Sequence, residues 1–274
     1  MILHIFKNTE ELSKAVADWM IDLISRTLQQ KDRFTLVLSG GNTPKKLHEL
    51  LSSDNYKNKI DWNKLHIFWG DERFVPFNDD RNNAKMCFDT LLNHVPVPKA
   101  QIHVMQTENI APQESAEAYE EILKKYFSEA ASHNLRAMSN DLQIENRKQE
   151  TENPSTGQAG YKLQTFDLVL LGMGDDGHTL SLFPGKTDVI HETKKWCTSL
   201  WLESQNMHRI TLTHSVVNNT AAVAFLVTGS AKAKALREVL KGNYNPDLYP
   251  SQIIKPVNGE LHWFVDEAAG ANLK

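Results

Sequence analysis

The stretch Phe34-Thr-Leu-Val-Leu-Ser-Gly-Gly-Asn-Thr-Pro-Lys-Lys-Leu-His-Glu-Leu-Leu51 decides how this chain is read. Phe34–Leu38 is a short apolar run with the length of a strand buried on both faces. Ser39, Gly40, Gly41, Asn42 and Thr43 follow, and then Pro44, a residue suited to the first turn of a helix. Strand, glycine turn and helix in that order make a unit of an α/β fold.

Outward from this stretch the unit recurs. Leu65–Trp69 reads as a strand ending in Gly70-Asp71-Glu72-Arg73, with a helix over about 82–93. Residues 101–105 read as another short strand, and a helix from 112 carries Tyr119, Ile122, Leu123, Tyr126 and Phe127 on one face. Residues 166–171 form the most apolar run and end in Gly172-Met-Gly-Asp-Asp-Gly-His178. Late strands are expected at 209–213, 221–227 and 261–265, with Thr228-Gly229 leading into a helix over 231–240. Before all of these, residues 8–30 place Leu12, Ala15, Val16, Trp19, Met20, Leu23 and Ile24 on one helical face, capped by Asn8 or Thr9. The alternation predicts a three-layer α/β/α architecture: a mostly parallel, Rossmann-like sheet with helices on both faces. Ligands of such sheets bind outside the carboxyl ends of the strands. The whole chain, 1–274, reads as one domain, with a polar, flexible insertion at 135–164.

Composition narrows the function. Only 13 of 274 residues are glycine, yet Gly40, Gly41, Gly70, Gly172, Gly174, Gly177, Gly185 and Gly229 all follow strand-like runs. Glycine is needed where the backbone takes positive φ or approaches a ligand closely. A net charge of −4 argues against nucleic acid as a partner. No run of about 18 apolar residues predicts a membrane span, and MILHIFKNTEEL does not read as a signal peptide. The two cysteines, Cys87 and Cys197, form no C-x-x-C pair, and Cys87 reads as a small buried hydrophobe. A cytoplasmic protein, monomeric rather than a large oligomer, is expected.

Three loops and two cations carry the candidate chemistry. At Ser39, Gly40, Gly41, Asn42 and Thr43, successive N–H groups and a helix N-terminus can cradle a phosphate. The spacing is neither that of a P-loop nor G-x-G-x-x-G, so dinucleotide binding is disfavoured; the bland reading is a tight turn with Thr43 as helix cap. Asp71 and Arg73 follow a strand directly, which reads either as a solvated turn or as an acid and a guanidinium facing a ligand. His178 stands two residues after Asp176, between glycines, where a carboxylate can fix the imidazole tautomer for base catalysis. The alternative is a loop histidine bonded to backbone. Arg209 and Lys232, taken singly, read as surface charges.

Together the motifs SGGNTP, GDER, GMGDDGHTLSLFPG, RITLT and TGSAK resemble, in order and rough spacing, the 6-phosphogluconolactonases of the glucosamine/galactosamine-6-phosphate isomerase group. The likeness covers nearly the whole chain outside 135–164. Aminosugar deaminases of that group carry tyrosine where Arg73 stands and Asn-Glu-Pro where Leu182-Phe-Pro-Gly185 stands, so both differences favour the lactonase. Leu180 and Lys255 depart from the usual lactonase pattern, at positions expected to lie away from the catalytic groups. The resemblance implies hydrolysis of 6-phosphoglucono-1,5-lactone in the oxidative pentose phosphate pathway, with no cofactor or metal. Ser39–Thr43, Arg209 and Lys232 would clamp the phosphate, and His178 would activate water with Asp176 or its neighbour Asp175 orienting it. Arg73 would meet the oxyanion, and Asp71 the sugar hydroxyls. The alternatives are an aminosugar-phosphate isomerase-deaminase and a non-catalytic sugar-phosphate-binding protein.

Overall fold

The computed structural model describes residues 1–127 and 165–273; the 135–164 segment lies outside them. Six parallel strands form the central sheet. They are β1 (Ile2–Phe6), β2 (Phe34–Leu38), β3 (Leu65–Trp69), β5 (Leu168–Gly172), β8 (Ala222–Val227) and β9 (Glu260–Asp266), in spatial order β1-β9-β8-β5-β2-β3. Every residue of β2 and of β8 is buried, as strands covered on both faces require.

The covering helices follow from simple patterns. In α1 (Thr9–Leu28), Leu12, Val16, Ala17, Met20 and Ile24 are buried along one stripe, and Asn8 caps the helix by accepting from Glu11 N at 2.9 Å. Full burial of side chains of this size is worth about 1.5–3 kcal/mol each before the entropy of ordering them is charged. The remaining helices used below are α2 (Asn42–Leu51) and α3 (Asn83–Cys87). Among the described residues no helix is long and apolar enough to cross a membrane.

Strand order locates the ligand crevice. From β2 the chain winds outward to β3, then returns to place β5 on the other side of β2. The winding reverses between β2 and β5, the kind of switch point at which open α/β sheets bind ligands. The loop after β2 is Ser39–Thr43, and the loop after β5 is Gly172–His178.

Some expectations are corrected. A second sheet, antiparallel, joins β4 (Asp71–Arg73), β7 (Met207–Leu212) and β6 (Cys197–Leu202) in the order β4-β7-β6. The strand expected at 209–213 therefore belongs to this ribbon and not to the parallel sheet. Residues 101–105 form no strand, because only Ile102 bridges to Ile67 before the chain leaves. The helix expected over 82–93 is α3 followed by a wider turn, Phe88–Leu92, closed by Asn93 N donating to Phe88 O at 3.1 Å.

Candidate active site

The two switch-point loops, the β4–β7 ribbon and the loop after β8 enclose one cleft of about 400 Å³. Ser39, Gly40, Gly41, Asn42, Thr43, Asp71, Arg73, His178, Arg209 and Lys232 all line it. Asp176 does not line the cleft but stands behind His178. Residues from distant parts of the chain are thus brought together.

At the floor, α2 begins without a side-chain cap. Gly41 takes the cap position with φ 101°, a value that favours glycine, and no side chain bonds to the first-turn N–H groups. Thr43 is the second residue of the helix and not its cap. Its hydroxyl instead pairs with Thr228 Oγ1 at 2.7 Å, tying this loop to the one that carries Lys232. An uncapped helix start leaves N–H donors and the positive end of the helix dipole at the cleft.

Opposite lies the histidine. His178 Nδ1 is 2.6 Å from Asp176 Oδ1, and His178 N donates to the same oxygen at 3.0 Å. Partial burial pushes the Asp176 carboxyl up, but these hydrogen bonds and the imidazole outweigh it, and its pKa is net lowered. The carboxylate fixes Nδ1 and leaves Nε2 as the ring's free nitrogen. Asp175 makes no such contact with the ring, so the structure assigns the pairing to Asp176. Gly174 is the seat of the pair: a Cβ built there would sit 2.1 Å from His178 Nδ1 and 2.4 Å from Asp176 Oδ1. The Phe183 ring packs 4.3 Å from the imidazole on its far side.

The third wall carries the arginines. Arg73 and Arg209 are direct cross-strand partners in the β4–β7 register. Like charges so placed repel, yet Nε of each is buried without a partner. Arg73 donates through Nη1 to Arg81 O at 2.8 Å, and Arg209 donates through Nη2 to Gln205 Oε1. Asp71 offsets part of the charge, its Oδ2 lying 3.9 Å from Arg209 Nη1 and accepting from Ser181 Oγ at 2.7 Å. Burial pushes the Arg209 guanidinium downward, against the pull of Asp71; arginine stays charged regardless. Two guanidiniums with spare donors, facing one cleft, are an anion site.

Several residues were not singled out from sequence. Asn83, Gln205 and Thr228 also line the cleft. Asn83 donates through Nδ2 to Asp71 O at 2.9 Å. Glu72 turns away from the cleft and accepts from Arg73 N, Asn83 N and Ala84 N at 2.7, 2.7 and 2.8 Å. Burial lifts its pKa to about 7 against those bonds. No local signal marks these side chains, whose roles depend on contacts between elements. Leu180, expected away from the catalytic groups, lines the cleft with φ 54°. Lys255 does lie elsewhere, its ammonium 4.1 Å over the Tyr244 ring. Cys87 and Cys197 are buried free thiols whose pKa values burial drives upward. Among the described residues no cluster of three or more His, Cys, Asp or Glu is placed to hold a metal.

Comparison with known proteins follows the same lines. Residues 7–263 match the family described as glucosamine-6-phosphate isomerases/6-phosphogluconolactonase. A 6-phosphogluconolactonase of Synechocystis sp. is 35% identical over 251 residues, 92% of this chain and 89% of the relative. The solved structure of a devB protein superposes with a TM-score of 0.77 at 29% identity, covering 100% of this chain and 99% of that one. A monomeric glucosamine-6-phosphate deaminase superposes at 0.73 with 17% identity, covering 99% and 100%. The last likeness shows the fold alone, so fold by itself does not choose between hydrolysis and deamination.

Proposed function

Because the chain belongs to the glucosamine-6-phosphate isomerase/6-phosphogluconolactonase family, we propose that it hydrolyses 6-phosphoglucono-1,5-lactone to 6-phosphogluconate. One observation carries the reading: the carboxylate-held His178 faces the same cleft as an uncapped helix start and two opposed arginines. The substrate needs this combination, being an ester at one end and a phosphate at the other. The relative's name supports the same choice.

In this reading the phosphate lies against the N–H groups of Ser39–Thr43, with Arg209 and Lys232 as counter-charges. His178 Nε2 takes a proton from water while the water oxygen bonds to the lactone carbonyl carbon. The carbonyl electrons move to oxygen, and Arg73 meets that charge. Collapse of the tetrahedral intermediate breaks the ring C–O bond, and the proton held by His178 passes to the departing ring oxygen. Asp176 keeps the imidazole in register and stabilises its cation. In the same reading Asp71 and Asn83, which line the cleft, meet the sugar hydroxyls.

The test is lactone hydrolysis followed above the spontaneous rate, beside ammonia release from glucosamine 6-phosphate. Turnover of the lactone alone is expected. Ammonia release would move the assignment to a deaminase, and binding of 6-phosphogluconate with neither activity would make the chain a sugar-phosphate-binding protein. The buried free cysteines suit a reducing cytoplasm.

A further inference from the structure

We propose that Asp266, remote in sequence from every motif above, is the positioning residue of the phosphate clamp. It is the last residue of β9 and 5% exposed. Its carboxylate reaches across to the loop after the neighbouring strand β8 and takes Gly229 N on both oxygens, at 3.0 and 3.1 Å. Oδ1 also accepts from Ala269 N at 2.8 Å. Its counterparts are backbone N–H groups, those of Gly229 and Ala269. Such charge-assisted bonds are roughly twice as strong as neutral ones.

What it holds explains why a carboxylate stands there. Gly229 has φ 93° and begins the turn Ser230–Lys232, closed by Lys232 N donating to Gly229 O at 3.1 Å. The orientation of that turn decides whether Lys232 reaches the cleft. The residue before Gly229, Thr228, bonds to Thr43 in the other limb of the clamp at 2.7 Å. One buried carboxylate thus anchors the loop that supplies Lys232 and braces the loop that supplies the N–H cradle. Asp266 does not line the cleft; it acts through Gly229.

The inference rests on the proposed phosphate site, and its test separates the two. Asp266→Ala, Asp266→Asn and Lys232→Met are assayed for KM and kcat on the lactone and titrated calorimetrically with inorganic phosphate. For Asp266→Ala, KM and the phosphate Kd are each expected to rise about tenfold or more, a displacement-scale effect, with kcat within threefold. Asp266→Asn keeps Oδ1 and should rise less, and it carries the test if the alanine variant does not fold. Combining Asp266→Ala with Lys232→Met should cost little beyond Lys232→Met alone. Unchanged phosphate affinity, fully additive effects, or a fall in kcat at constant KM would overturn the assignment. Absence of lactone turnover in the wild type would instead sink the functional reading, and the phosphate titration would still judge Asp266.

Discussion

Gly174→Ala tests the geometry of the proposed base directly. Gly174 has no positive φ, so alanine meets no backbone penalty. Its methyl would stand 2.1 Å from His178 Nδ1, and real Cβ contacts essentially never fall under 3.0 Å, so the His178–Asp176 pair must back away by about 1 Å. A displacement of about 1 Å at a reacting group costs roughly 10²-fold, or about 2.7 kcal/mol of barrier. The phosphate clamp lies on other loops and should keep its affinity. Blank-subtracted initial rates should therefore show kcat reduced about 100-fold with KM within about threefold. The clash costs about 1–3 kcal/mol of stability, offset in part by the unfolded-state entropy that a lost glycine removes, about 0.4–1 kcal/mol, so rates are read well below the variant's own thermal midpoint, where a folding defect cannot account for the loss. A kcat within threefold of the wild type would refute the dyad as the catalytic device.

Other outcomes follow from the same contacts. His178→Ala should lower kcat by about 10²–10⁴-fold while 6-phosphogluconate binding, measured by calorimetry, stays near wild type; near-normal turnover removes the base assignment. Lys232→Ala should act mainly on KM, and an unchanged KM would take Lys232 out of the clamp. His48 on α2 is fully buried with both ring nitrogens unpartnered, and burial pushes its pKa down to about 4. Between about pH 6.5 and 4 the unfolded chain then binds more protons than the native one, so stability falls as pH falls through that window. His48→Leu should raise the urea midpoint at pH 7 by about 1 kcal/mol equivalent and flatten the acid loss; identical midpoints at pH 7 and 4.5 for both proteins would contradict this.

What the chain discloses before folding is uneven, for physical reasons. The β2 and β5 loops were readable because apolar strand, glycine turn and helix start are neighbours in sequence, and the same short segments carry the chemistry. The ribbon β4-β7-β6 was not, since Asp71–Arg73 looks like a polar turn until β7 pairs with it. The opposition of Arg73 and Arg209 is a register between distant segments, invisible to local pattern. Asn83, Thr228 and Asp266 acquire meaning only from hydrogen bonds across elements. Gly41 shows a subtler gap. The glycine turn is visible in the sequence, but φ 101° is not, and any side chain there strains the backbone, so Gly41→Val costs stability as well as phosphate affinity.

The facing guanidiniums of Arg73 and Arg209 carry a consequence for the protein at rest. Their like charges repel across the β4–β7 register, so an anion bound between them stabilises the fold itself. Inorganic phosphate is a small anion able to do this, and at 100 times its Kd it would add about 2.7 kcal/mol. The same ion occupies the substrate's place. The protein should therefore melt higher in phosphate buffer than in a non-coordinating one while its apparent KM rises in step, phosphate acting as guardian of the fold and rival of the substrate at once.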